Sequence, residues 1–439
     1  MREKIIEKGL MPFVDLFNNT TIIKKLNYWR VISQLSEDEL NDLASDNLVR
    51  ILKYARSTIP FYSNVQIENS LKPEELIPAF PIIYKEDIKS NMDNLLSEKK
   101  SRLLKYASSG SSGIQGTVYM NKTDQSIIRA IMLLWWEWAG YKFGKPTFQT
   151  GMSTDRGFVK SLKDFFLRIH YAQAFNLDGD IIFHELKTLR VKRNMFLAGY
   201  ASSLNVYADV CLKRGIDVKF DAAICWGDKL FDQYKKNIKN AFGCDVNETY
   251  SCNEGFLVGA KKDLDYFYIM SPHVYVEIVD KNGNPVPDGQ LGYVLLTRLD
   301  GFSMPLIRYY VGDLAIKLPR EKYPEKREMY FPLLEKVIGR DTDIVVTSSG
   351  KRLIVHFFTG IFEFVPEIQQ FIVIQREVSG IEIDYIPNPD FTPAVLERLE
   401  KIFYDKLKEK LNVTWRAVDN IPPTASGKPQ LIQSYIGKV

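Results

Sequence analysis

The chain has 439 residues, of which 45% are hydrophobic and 26% charged, with a formal net charge of +4. That length predicts two or three domains, and the composition is that of an ordinary globular protein. The weak positive balance contains no long block of like charges, which argues against a nucleic-acid partner and leaves anionic small molecules open.

In chain order, the start Met1-Arg2-Glu3-Lys4-Ile5 carries charges where a signal peptide needs an apolar core. Residues 1–100 read as mostly helical. Ser36-Glu37-Asp38-Glu39 has capping-box form, and Leu40, Leu43, Leu48, Ile51 and Leu52 follow on a helical stripe. Ile59-Pro60-Phe61-Tyr62 ends that helix and Phe80-Pro81-Ile82-Ile83 opens a new segment. Two strand-like segments flank the stretch from Ser108 to Gly116, and 125–139 forms an apolar helix ending in Trp135-Trp136-Glu137-Trp138. From 195 to 260 helix and strand alternate: helix 202–214, strand 222–226, helix 230–242, strand 245–250. Such alternation predicts a parallel α/β sheet with ligands near the strand C-termini. Strands 274–279 and 291–297 are joined through Lys281-Asn282-Gly283-Asn284, and 319–330 reads as a surface loop. After Gly339-Arg340 the texture shifts to short strands (344–347, 352–356, 370–375, 381–385) and one amphipathic helix at 394–411, a small α+β domain.

The four cysteines, Cys211, Cys225, Cys244 and Cys252, lack C-x-x-C spacing, and His170, His184, His273 and His356 are scattered. Neither a disulfide framework nor a metal-ligand cluster is predicted. The longest apolar runs, such as 130–136, are too short to span a bilayer. The expectation is a cytoplasmic protein without a membrane span.

The chemistry-bearing segments begin with Ser108-Ser109-Gly110-Ser111-Ser112-Gly113. A loop of small hydroxylated and glycine residues between strands can turn tightly and offer backbone N–H groups and hydroxyls to a phosphate; a flexible linker has the same composition. Tyr250-Ser251-Cys252-Asn253-Glu254-Gly255 places a carboxylate and an amide just beyond a strand, where a phosphate and its Mg²⁺ need ligands; a solvated loop carboxylate is the plainer reading. Pro305 to Asp313 ends in a Gly-Asp turn whose aspartate could accept two ribose hydroxyls, or be an ordinary turn. Gly339-Arg340-Asp341-Thr342-Asp343 falls at the composition shift, and Thr424-Ala425-Ser426-Gly427-Lys428 presents one lysine near the C-terminus.

Together, in this order, these segments resemble the adenylate-forming superfamily, in the phenylacetate–CoA ligase branch that includes CapK-type capsular-polysaccharide proteins. The serine/glycine loop resembles T-S-G-[ST]-[ST]-G-x-P, and Trp226-Gly227-Asp228 resembles the x-G-E element that lines the adenine pocket. Tyr250–Glu254 resembles Y-G-x-[ST]-E, Pro305–Asp313 resembles P-x-x-R-Y-x-x-G-D, Gly339–Asp343 resembles G-R-x-D-D, and Thr424–Lys428 resembles T-x-S-G-K. The chain departs from the pattern at Ser108 (for Thr), Gln115-Gly116 (for Pro-Lys), Asp228 (for Glu), Ser251 (for Gly), Asn253 (for Thr or Ser) and Thr342 (for Asp).

The resemblance implies an α/β fold: a large N-terminal domain over 1–338 with mixed β-sheets and helices, a hinge at 339–343, and a small, mobile α+β domain over 344–439 carrying Lys428. It implies attack of a carboxylic acid on the α-phosphorus of ATP, release of pyrophosphate, and transfer of the acyl group to CoA. Alternatives are an amine or hydroxyl acceptor on a sugar or amino acid in polysaccharide biosynthesis, or nucleotide binding without catalysis. Ser108, Ser109, Gly110, Ser111, Ser112 and Gly113 would cradle phosphates, with Gly227, Asp228, Tyr250 and Asn253 about the nucleotide. Asp313 and Arg340 would clasp the ribose, Glu254 would hold Mg²⁺, and Lys428 would supply positive charge between carboxylate and α-phosphate. Trp135, Trp136 and Phe148 lie where such enzymes build the acyl pocket, although core packing explains them equally.

Overall fold

The computed structural model describes residues 2–67, 72–107, 117–151, 164, 167–174, 179–189, 194–340, 344–362, 364–422 and 431–436. The predicted capping box forms: Ser36 Oγ accepts the Glu39 N–H, and Glu39 Oε2 accepts the Ser36 N–H at 2.8 Å. It starts the helix Glu37–Thr58, whose stripe Leu40, Leu48, Ile51, Leu52 and Ala55 is buried. Pro60 ends that helix because the residue before a proline avoids the helical region; Ile59 is extended.

The strands β1 (Leu104–Ala107) and β2 (Thr117–Met120) pair antiparallel. An 11-stranded sheet then takes in β3 (Thr147–Gly151), β4 (Ile169–Gln173), β5 (Phe196–Tyr200), β6 (Ala222–Trp226), β7 (Val246–Cys252), β8 (Phe256–Ala260), β9 (Phe267–Ile269), β10 (Val274–Val279), β11 (Leu291–Arg298), β12 (Tyr309–Lys317) and β13 (Leu333–Arg340). Its order is β10-β11-β12-β13-β9-β8-β7-β6-β5-β3-β4. The half from β4 to β7 is parallel, as the alternating pattern over 195–260 predicts for its later strands, and it extends back to β3 and β4; helices Gly179–Leu189, Ala201–Lys213 and Asp232–Phe242 are crossovers that parallel strands require. From β7 to β10 every pairing is antiparallel.

The Gly312-Asp313 pair corrects the sequence reading. It does not end an element; it lies inside the nine-residue strand β12. Between the pairs Leu295–Tyr310 and Tyr293–Leu314, three residues of β12 oppose one of β11, and Gly312 takes φ +77° there. This is a bulge, which glycine permits because it lacks the Cβ that disfavours positive φ.

A small C-terminal domain follows. It holds β14 (Ile344–Val346), β15 (Arg352–Ile354), β16 (Ile368–Glu377), β17 (Gly380–Pro387), β18 (Asn412–Ala417) and β19 (Ile432–Ser434), the last four forming a sheet in the order β18-β17-β16-β19. Val395, Leu399, Phe403 and Leu407 of helix Ala394–Leu407 are buried in its core. The helix stops short of the predicted end because Lys408 turns left-handed, at φ +55°. Residues 352–356 also divide: the strand ends at Ile354, and a helix begins at Val355.

The antiparallel half is tied to the N-terminal segment through Arg308, a residue at φ +52°. Its carbonyl accepts the Ile83 N–H at 3.1 Å, its Nε donates to Glu277 at 3.1 Å, and its Nη2 donates to the Gly283 carbonyl at 2.9 Å. Burial pushes the Glu277 carboxyl up in pKa, and the Arg308 guanidinium opposes that push. Removing one member of such a buried pair strands the other charge. Arg308→Ala is therefore expected to lower unfolding free energy by about 3–5 kcal/mol in urea denaturation, whereas a change below about 1 kcal/mol, the range of an exposed pair, would contradict this role.

Candidate active site

The parallel half of the sheet meets the antiparallel half at β7. The motif Tyr250–Gly255 spans the end of that strand and the turn into β8. Ligands of open α/β sheets gather outside strand C-termini, and this junction is such a place. The turn lies hard against β2. Gly255 has φ +94°, a conformation that favours glycine, and a Cβ on it would sit 2.5 Å from the Met120 methyl carbon, which would have to move.

The preceding residue, Glu254, is buried at 7% exposure and lines a pocket with Val118, Tyr119 and Met120 of β2, Phe256 of β8 and Arg298 of β11. The candidate phosphate residues Ser108, Ser109, Gly110, Ser111, Ser112 and Gly113 lie outside the described residues, as do Thr342 and Lys428. The two ends of their segment are described: Ala107 and Thr117 are cross-strand partners. The strand that leaves the loop is thus the one that borders Glu254.

Two hydrogen bonds join the Tyr250–Glu254 and Pro305–Asp313 segments reciprocally. The Tyr250 hydroxyl donates to Asp313 Oδ2 at 2.8 Å, and the Tyr309 hydroxyl donates to Glu254 Oε1 at 3.1 Å. Each segment's tyrosine orients the other's carboxylate. Strands β7 and β12 are separated in the sheet by β13, β9 and β8. In a flat sheet they would be about 19 Å apart at ~4.8 Å per strand. The antiparallel half must therefore curl on itself, and Phe256 stacks on Tyr309 inside the curl, 5.8 Å between centroids at 6°. The bulge at Gly312 is what turns Asp313 into line with Tyr250.

Arg340, opposite Asp313 on β13, supplies the positive field here. Burial is the main cause that pushes the Tyr250 hydroxyl well above its ordinary range, with Asp313 adding to it and Arg340 opposing. Burial likewise raises Cys252, helped by Glu254, so this thiol stays protonated and unreactive. Tyr309 is raised by burial and then by Glu254, which keeps it a hydrogen-bond donor at physiological pH.

A buried network fixes the far wall of the pocket. Arg298 Nε donates to Asp300 Oδ1 at 2.9 Å, and His273 Nδ1 lies 2.7 Å from Asp300 Oδ2. The Leu257 N–H donates to His273 Nε2 at 3.2 Å, so the ring proton sits on Nδ1, facing Asp300. Burial pushes Asp300 up, but His273 and Arg298 outweigh it and hold its carboxyl below the usual range. Sequence reasoning gave His273, Arg298 and Asp300 no role. Tyr309 was quoted inside a motif without its hold on Glu254.

The remaining candidates divide. Asp228 accepts the Ala201 and Ser202 N–H groups at 2.7 and 3.1 Å, capping helix Ala201–Lys213. It follows Gly227 at the end of β6, where Trp226 stacks on Trp136 at 5.9 Å and 13°. Asn253 is exposed on the turn. Trp135 and Phe148 are buried in two different hydrophobic clusters, Phe148 stacking on His170.

Next to Asp228, Lys229 donates from Nζ to the Ile338 carbonyl at 2.6 Å, fastening the loop after β6 to the strand that ends at Arg340. Burial, ahead of the surrounding charges, brings its pKa down from 10.5 to about 8. The unfolded chain then binds one more proton than the folded chain between those values, so stability rises with pH across that window. Relative to Lys229→Met, the natural chain is expected to gain about 2 kcal/mol of unfolding free energy between pH 8 and pH 10; parallel stability–pH curves would contradict the burial of this amine.

The CapK C-terminal domain family matches residues 345–435. Protein CapK of Staphylococcus aureus is 24% identical over 421 residues, 92% of this chain and 91% of the relative. Phenylacetate-coenzyme A ligase of Pseudomonas putida is 25% identical over 338 residues, covering 71% of this chain and 73% of the relative. Among solved structures, 2-hydroxyisobutyryl-CoA ligase in the postadenylation state with 2-HIB-AMP superposes with a TM-score of 0.71 at 16% identity, covering 92% and 91% of the two chains. The anthranilate CoA ligase AuaEII with anthranoyl-AMP superposes at 0.54 and 14% identity, covering 88% and 90%. The chain is a homologue of CapK and of the phenylacetate-coenzyme A ligases, with the fold of the adenylate-forming CoA ligases.

Proposed function

We propose that the protein activates a carboxylic acid with ATP, forming an acyl-adenylate and pyrophosphate, and passes the acyl group to CoA. The observation that carries this reading is the reciprocal pair Tyr250–Asp313 and Tyr309–Glu254 beside the strand that leaves the serine/glycine loop. Relatives named as phenylacetate-coenzyme A ligases and a fold shared with ligases bound to acyl-AMP support it.

In this reading Ser108, Ser109, Gly110, Ser111, Ser112 and Gly113 cradle the phosphates. Tyr250 packs by the adenine, with Gly227, Asp228 and Asn253 near the nucleotide. Asp313 and Arg340, cross-strand neighbours, take the ribose. Glu254 suits Mg²⁺: it is a single hard carboxylate, and among the described residues no group of three His, Cys, Asp or Glu could hold a metal by itself. Magnesium is commonly held by one or two carboxylates together with substrate phosphates and waters. When bound, it neutralises charge on the phosphates; Tyr309 meanwhile keeps the Glu254 carboxylate oriented toward the pocket. Residues 1–338 carry these groups apart from Arg340, which belongs to the hinge at 339–343, and 344–439 bring Lys428 to the reacting oxygens. There its ammonium lowers the repulsion between two anions as the carboxylate oxygen bonds to the α-phosphorus and pyrophosphate leaves. Trp135 and Phe148 are packing residues in this account. Trp136 stacks on Trp226, the last residue of β6.

ATP–pyrophosphate exchange against a panel of aryl, fatty and amino acids tests the first half-reaction. Exchange with at least one acid is expected, and Lys428→Ala should lower it by at least about a hundredfold with an unchanged circular dichroism spectrum. Exchange that is unaffected by this substitution would remove Lys428 from the chemistry. With the acid in hand, CoA is expected to stimulate AMP release; stimulation by amines or sugars instead would assign the other acceptor.

A further inference from the structure

The helix Met11–Asn18 is held to the body by one side only. Met11 is buried in a cluster with Ile6, Leu26 and Trp29. Asp15 is buried too: its Oδ2 accepts the Ile23 N–H at 2.8 Å, and its Oδ1 accepts the Thr20 hydroxyl at 2.7 Å. Lys122 Nζ donates to the Asn18 carbonyl at 2.7 Å, fixing the far end. The opposite side presents Phe13, Leu16 and Phe17, at 66%, 79% and 82% exposure. Their i, i+3, i+4 spacing makes one apolar stripe, and the anchored side makes it a rigid one.

The charge around this stripe has one dominant sign. Lys4 and Lys8 precede it and Lys24 follows it, all exposed. Of the acids within the segment 2–24, Glu7 is paired with Arg30, Asp15 is consumed in the turn, and Glu3 is partly open. At roughly 150–250 Å² per large side chain and the exposures given, the stripe offers about 350–550 Å², short of the ~800 Å² per partner that a stable protein interface buries. An exposed apolar stripe flanked along the chain by exposed lysines matches instead the interface of an anionic bilayer, where rings and leucines enter the acyl boundary and ammonium groups meet headgroup phosphates.

We propose that Phe13, Leu16 and Phe17 form a peripheral membrane-contact face, with Lys4, Lys8 and Lys24 selecting anionic lipid. The face is independent of the site at Glu254 and of the reaction assigned to it. Flotation with phosphatidylcholine vesicles, with and without phosphatidylglycerol, tests it. The natural chain should float with the anionic vesicles and be released by salt. Phe13→Ser/Leu16→Ser/Phe17→Ser should lower partitioning at least about tenfold, and Lys4→Gln/Lys8→Gln/Lys24→Gln about a hundredfold. Thermal melting and ATP–pyrophosphate exchange should stay at the natural level in both, which separates lost contact from lost fold. Failure of the natural chain to float with anionic vesicles would overturn the proposal, as would equal flotation of the serine variant. A dimer in sedimentation velocity that the serine variant splits would assign the face to a second copy and overturn it as well.

Discussion

The hydrogen-bond exchange between two tyrosines and two carboxylates is the constraint on which the site depends. Tyr250 and Glu254 come from the end of β7 and its turn, Tyr309 and Asp313 from β12, and each tyrosine serves the other segment. The exchange can exist only because the antiparallel half of the sheet curls until strands four places apart meet. The pairings of β9 with β13 and with β8, each two residue pairs long, are where the curl is least restrained by ladder hydrogen bonds. Arg308, buried and bonded to Glu277 and the Gly283 carbonyl, fixes the start of β12 and with it the position of Tyr309.

Electrostatics follow from the same geometry. Placing Asp313 and Glu254 against buried phenols leaves two acceptors oriented by neutral donors, and Arg340 is the cation that offsets them. Neutral donors position a carboxylate without neutralising it, which is what a metal or ribose ligand requires. The site thus holds acceptors for hydroxyls and a cation, while the charge needed against the reacting anions is assigned to Lys428.

Much of this was legible in the sequence. Helix and strand alternation over 195–260 showed the parallel strands β6 and β7 because buried strands and amphipathic helices differ in period and length; β3 and β4 lie outside that stretch and were not read as strands. The capping box at Ser36–Glu39 stood out as a local signal. What could not be read was whatever depends on curvature. The strand that contains Gly312-Asp313 looks like a turn because a glycine at a bulge and a glycine at a turn answer the same need for positive φ. The network of His273, Asp300 and Arg298 joins residues brought together by the pairing of β10 with β11, which sets Val274 opposite Arg298 and lies beyond the reach of local spacing. Asp228 was read as part of a nucleotide wall, and its visible duty is to cap a helix. Trp135 and Phe148 show the common outcome for apolar aromatic residues: packing claims them.

The central claim is that this geometry serves attack of a carboxylate oxygen on the α-phosphorus of ATP. The most direct measurement uses an acid supporting exchange, labelled with oxygen-18 in its carboxylate, followed by mass spectrometry of the nucleotide product after acyl transfer. The account predicts AMP carrying one labelled oxygen, left on the phosphorus when the acyl group departs. Unlabelled AMP, or label found in inorganic phosphate with ADP as the nucleotide product, would contradict it.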